Sequence, residues 1–222
     1  MRLVQRLAGS GVFVCAAFIS GVSFAKEYKF VASDPVREGL VTMGKPGLTV
    51  ALARDHVMEI LQSKNSCSAW FAEVDPNAAA TFASLKFIIE TDGPKDVLAL
   101  HSYSGEMLLK HPYSAKALEN AGANSFVVLN AKGAFFVHAA PVLRQENKSI
   151  WFRPFGRCEL LVGSYRGNTL AAQITILLHE LGHVVGRLPA ESDELSGQSG
   201  RNTAEVVSRC HKQIKAAAGS PL

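Results

Sequence analysis

The sequence predicts an α+β domain behind an export signal. Apolar residues recur at helical spacing near both ends of the mature chain, and short β-rich runs bounded by turn residues occupy its middle. The length, 222 residues with 48% hydrophobic and 19% charged content, suits one domain with a substantial core. That composition excludes disordered, collagen-like and low-complexity proteins. The formal charge is +4, and removal of Arg2 and Arg6 with the signal leaves 21 bases against 19 acids. So even a balance gives no reason to expect nucleic acid or an anionic membrane as partner.

Residues 1–25 read as a secretory signal peptide. Met1 to Arg6 holds two arginines and no acid, Leu7 to Phe24 is uncharged and apolar, and Ser23-Phe24-Ala25 precedes Lys26 with small residues at the cleavage positions. An uncleaved membrane anchor is the alternative. Cys15 lacks the small residues that precede a lipidated cysteine. The mature domain, residues 26–222, is expected to be secreted or periplasmic, with no further membrane span. In that oxidising setting two of Cys67, Cys158 and Cys210 are expected to pair. Cys158–Cys210 is the favoured bridge, because both cysteines flank the most motif-rich stretch.

The elements follow in order. Residues 26–50 read as an irregular or extended lead-in, punctuated by Asp34-Pro35, Gly39, Gly44, Pro46 and Gly47. Leu48 to Ser63 is helical, with Leu52, Val57, Ile60 and Leu61 on one face. Ser66 to Phe71 starts a second element, and Asn77 to Ala83 is a short helix after the Asp75-Pro76 turn. Residues 84–90 and 96–102 are strand-like about Asp92-Gly93-Pro94. Tyr113 to Ala121 reads as a short helix stopped by Gly122. Ser125 to Leu129 and Ala134 to Ala139 read as strands joined by a hairpin at Asn130 to Gly133. Ile150 to Phe155 and Glu159 to Val162 add extended pieces. The aromatic group Trp151, Phe152 and Phe155 suits a core.

From Gly167 the pattern turns helical. Asn168 or Thr169 is a suitable N-cap, and Leu170, Ile174, Leu177, Leu178, Leu181, Val184 and Val185 recur at helical spacing up to Gly186. A last helix is expected from Asn202 to about Ala218, opened by a capping box between Asn202 and Glu205.

Inside the first of these helices stands His179-Glu180-Leu181-Gly182-His183. Residues four apart share a helix face, so the two imidazoles meet at one point, spaced for a single Zn²⁺. Glu180 projects beside that point, placed to take a proton from water activated by the ion. The HExxH pattern with apolar flanks resembles the zincin metallopeptidases. The resemblance implies a zincin-like α+β fold, a mixed sheet on the HExxH helix with a C-terminal helix beside it. It also implies Zn²⁺ as cofactor, His179 and His183 as ligands, Glu180 as general base, and hydrolysis of peptide bonds in a peptide or protein substrate.

A catalytic zinc needs a third protein ligand. The metzincin extension HExxHxxGxxH matches at Gly186 but meets Pro189 where the third histidine belongs. In the gluzincin pattern the glutamate sits on a following helix, and Glu205 lies 22 residues after His183. In the aspzincin pattern an aspartate follows a turn, which points to Asp193. Glu191, Glu194 and a distant histidine remain open. Tyr165 and Arg166, before the helix, are oxyanion candidates whose simpler reading is surface or packing. His211 is a further candidate on the last helix, while His56, His101, His111 and His138 share no metal spacing. The strand Ser125 to Leu129 suits an edge for an extended peptide. Two other functions fit the same residues: a zinc-binding but catalytically idle interaction protein, and a hydrolase of a non-peptide amide or ester.

Overall fold

The computed structural model describes residues 33–91, 97–102, 105–110, 113–145, 152–191 and 197–219. The expected signal segment, the Asp92-Gly93-Pro94 turn, His111, Trp151, Asp193 and Glu194 lie outside these residues.

The lead-in is helical rather than irregular. Helix α1 (Pro35–Thr42) begins at a true cap: the Asp34 carboxylate accepts the Arg37 backbone N–H at 3.0 Å, and Pro35 occupies the first turn. Gly44, at φ +69°, breaks the chain into α2 (Gly44–Gln62). A Cβ on Gly47 would stand 1.9 Å from the Leu40 carbonyl oxygen, so the bare glycine is what lets the two helices meet. The turn-forming residues seen in the sequence thus separate helices instead of marking a coil. Val50, Ala53, Val57, Ile60 and Leu61 form the buried face of α2, and Leu52 faces outward. Two short helices follow, α3 (Ser66–Ala72), opened by a reciprocal Asn65/Ser68 capping box, and α4 (Ala78–Ala83).

The middle of the chain forms two larger sheets. Strand β1 (Lys86–Glu90) pairs in parallel with β5 (Phe126–Asn130), and the short β4 (Ala115–Ala117) pairs antiparallel with β5 on its other side. The order β1-β5-β4 makes this a mixed sheet with β5 at its centre. That corrects two expectations. Tyr113 to Ala121 is not a helix, because its residues 115–117 hydrogen-bond to β5 and Asn120 and Gly122 then take positive φ. Ser125 to Leu129 is not an edge, since β5 has a partner on each side. The second sheet is antiparallel and ordered β2 (Val97–Ser102), β3 (Gly105–Lys110), β6 (Ala139–Gln145), β7 (Phe152–Glu159). The strands 84–90 and 96–102 therefore belong to different sheets.

The expected hairpin about Asn130 to Gly133 does not form. Gly133 N–H bonds back to Asn130, and Phe136 and Val137 bond back to Gly133, so two successive turns bury Phe135 where a strand was expected. Phe155 is 55% exposed on β7 and is not core. A small hairpin, β8 (Leu161–Val162) and β9 (Tyr165–Arg166), leads into α5 (Leu170–Val184).

Thr169 caps α5 by accepting the Ala172 N–H. Every residue of α5 from Ala172 to Val184 is buried, the polar Gln173, Thr175, His179, Glu180 and His183 among an apolar majority. It packs against α2, β4, β8, β9 and the final helix α6 (Gln198–Gly219). The mixed sheet and the C-terminal helix thus both reach the helix that carries HExxH. Helix α6 starts a turn before the expected cap, with Arg201 N–H bonding to the Gly197 carbonyl. Asn202 therefore lies inside the helix, on a buried stripe with Val206, Cys210 and Ile214, each four residues from the next.

The disulfide joins Cys67 of α3 to Cys210 of α6, with Cα atoms 4.6 Å apart. Cys158, the expected partner, is unpaired on β7. The correction is geometric: α3 packs directly on α6, whereas Cys158 is held in register with Ala140 of β6. No helix among the described residues is long and apolar enough to cross a membrane.

Candidate metal centre

Helix α5 presents His179 and His183 from consecutive turns, with Nε2 atoms 3.1 Å apart. It then ends abruptly. Gly186, at φ +70°, donates its N–H to the His183 carbonyl, and Arg187 donates to that of Gly182. These two bonds are a Schellman stop, which reverses the chain over the last helical turn. Leu188 tucks against Gly182, and a Cβ on that glycine would lie 2.5 Å from Leu188 Cδ1. The reversal returns Glu191 to the histidines. Its Oε1 is 2.8 Å from His179 Nε2 and 3.4 Å from His183 Nε2.

These three atoms test well as a metal site. Ligand atoms about 2.0–2.2 Å from a tetrahedral zinc stand roughly 3.3 Å from one another, and the observed separations run from 2.8 to 3.4 Å. Two imidazoles and a carboxylate form a donor set that could hold a metal ion. Among the described residues this is the group of His, Cys, Asp and Glu side chains whose donor atoms converge in this way.

The surroundings shape each member. His179 Nδ1 lies 3.0 Å from Thr203 Oγ1, and Asn202 Nδ2 donates to Glu191 Oε1 at 3.0 Å. His183 Nδ1 is buried with no hydrogen-bond partner among the described residues, and the Glu119 carboxylate stands 4.0 Å away. Burial opposes charge on His183, but the bond to Glu191 and the fields of Glu180, Glu191 and Glu119 outweigh it and raise its pKa. Burial likewise resists ionisation of Glu191, yet the hydrogen bonds from both histidines hold that carboxyl far below its ordinary range. Glu180 is 5% exposed, and burial raises its pKa despite the nearby imidazoles. Its carboxylate accepts the Ala117 backbone N–H from the edge strand β4.

Of the residues singled out in the sequence, His179, Glu180 and His183 are together and buried, and Glu191 joins them. Glu205 does not: it is exposed on α6, outside the converging group. The reason is the earlier start of α6, which turns Asn202 inward and Glu205 outward. Tyr165 and His211 bond to each other at 3.0 Å, and Arg166 pairs with Glu159 at 2.6 Å, so each of these polar groups has its own partner outside the converging group. His56 is buried in α2 and His138 is exposed. Asn202 and Thr203 were not legible as site residues. Only the abrupt Gly186 and Pro189 signals hinted that the chain folds straight back toward α5.

The chain matches no known family model, no curated protein and no solved structure.

Proposed function

We propose that this chain is an exported, zinc-dependent metallopeptidase of the zincin type. The observation that carries the reading is the convergence of His179 Nε2, His183 Nε2 and the returning Glu191 Oε1 at tetrahedral-ligand spacing, beside the helix residue Glu180. His179, His183 and Glu191 would hold the ion. When bound, zinc supplies Lewis acidity, polarising a carbonyl and lowering the pKa of water to about 7.

The protein's own groups account for the rest. Burial gives Glu180 a raised proton affinity, which suits a base that takes a proton and later returns it to a leaving amine. The Ala117 N–H of β4 steadies that carboxylate, and β4 pairs with β5 alone among the described strands, which suits an extended peptide laid along its other side near the base. Export rests on the signal pattern of residues 1–25, and the Cys67–Cys210 bridge suits an oxidising compartment.

The test compares the purified protein with its Glu180→Gln variant on a panel of peptides, amides and esters, with zinc content measured in both. The variant is expected to keep its zinc and lose at least about 100-fold in peptide cleavage. Undiminished cleavage by a zinc-loaded Glu180→Gln protein refutes the role of the base. Turnover of esters but not of peptides refutes the substrate class, and zinc binding without any turnover leaves a scaffold with no enzyme.

A further inference from the structure

Building on that zinc reading, we propose that Asn202 and Thr203 are positioning residues, an adjacent pair on α6 that orients two ligands supplied by other segments. A histidine that turns Nε2 to an ion carries its proton on Nδ1. In His179 that proton is placed to be donated to Thr203 Oγ1, 3.0 Å away. The bond fixes both the tautomer and the rotation of the ring.

Asn202 does the same for the carboxylate. It is 1% exposed, in a stripe whose other members are Val206, Cys210 and Ile214. An amide there costs stability unless all its groups are bonded, and they are. Its two N–H donors go to the Pro189 carbonyl and to Glu191 Oε1, each at 3.0 Å, and its oxygen accepts from Gln198 at 2.7 Å. One buried side chain therefore pins the returning segment at residue 189 and again at the donor atom of residue 191. Glu191 side-chain exposure is 28%, so without that pin only the two imidazoles and the ion they share hold it out of solvent. Because the bonded oxygen is the one nearest both imidazoles, the pin acts on the atom that would meet the ion.

The experiment measures zinc affinity by competition with a chromophoric chelator, and the visible spectrum of the Co²⁺-substituted protein. Thr203→Val keeps shape while removing the hydroxyl, and is expected to weaken zinc binding about 10- to 100-fold and shift the cobalt bands. Thr203→Ser restores both. Asn202→Ala is expected to weaken binding by a similar factor, and melting of its metal-free form separates this from loss of fold. Wild-type affinity and an unchanged cobalt spectrum in Thr203→Val and Asn202→Ala overturn the inference while leaving the zinc site standing. A wild type that binds no more zinc than His183→Ala overturns the site reading itself.

Discussion

Gly182 is the one residue between the two histidines with no side chain, and the structure leaves no room for one. A Cβ there would stand 2.5 Å from Leu188 Cδ1 and 2.7 Å from Cγ. Leu188 is 2% exposed and so cannot move aside into solvent. The contact matters because residues 186–191 carry Glu191 back to the histidines. Overpacking of this kind costs about 1–3 kcal/mol. We expect Gly182→Ala to destabilise the fold by that amount and to weaken zinc binding, since Leu188 must push the returning segment outward. Chemical denaturation and a zinc titration of the same variant measure the two effects, and a variant as stable as wild type would mean that Leu188 repacks freely. The HExxH letters were legible as sequence because their chemistry lies within one helical repeat. Glu191 was legible only as one of several acids. Its selection depends on a Schellman reversal, which Gly186 signals without saying which acid it returns, and on an Asn202 amide from another helix, which has no local signature.

Helix α6 couples the site to the rest of the domain. It supplies the Asn202 and Thr203 contacts near its start, and two turns later Cys210 ties it to Cys67 of α3. Ser66 of α3 also donates to the Arg209 carbonyl beside the bridge. The disulfide spans a sequence separation of 143 residues, and closing so long a loop restricts the unfolded chain by about 4–5 kcal/mol. Loss of the bridge in Cys67→Ser is expected to lower the unfolding free energy by up to that much, read from the midpoint and slope together, with the slope rising as the unfolded chain loses its cross-link. Cys158→Ser should leave the midpoint nearly unchanged, and the opposite ranking would contradict the pairing. At this scale α5 and α2 were the most legible elements, because α5 is mostly apolar along its length and α2 has a long periodic face. The short β4 and the double turn around Phe135 were not. Residues 113–121 have weak local preference, and only pairing with β5 makes 115–117 extended. The start of α6 was misplaced for a related reason: Asn202 through Glu205 has the composition of a cap, but burial of Asn202 against the returning segment extends the helix by a turn.

The residues of the candidate metal centre and its supporting contact come from three segments of the unit Asp34–Leu222: α5, the reversal after Gly186, and, for Asn202, α6. In the unfolded chain their donors are not assembled, so an ion that binds them binds the native state preferentially. Such binding adds RT ln(1 + [L]/Kd) to stability, about 2.7 kcal/mol when free zinc is 100-fold above Kd. For a domain of this size that corresponds to a rise in melting temperature of roughly 5–10 °C. The purified protein is therefore expected to melt that much higher with zinc than with a chelator. His183→Ala should lose most of the difference, because two donors remain where three are needed. Thr203→Val should lose less, and recover the full shift at zinc concentrations raised in proportion to its weaker affinity. This ordering separates a metal centre from a cluster held by hydrogen bonds alone. In the second case the His179–Glu191 contact persists without any ion, zinc and chelator give the same melting curve, and His183→Ala changes both equally.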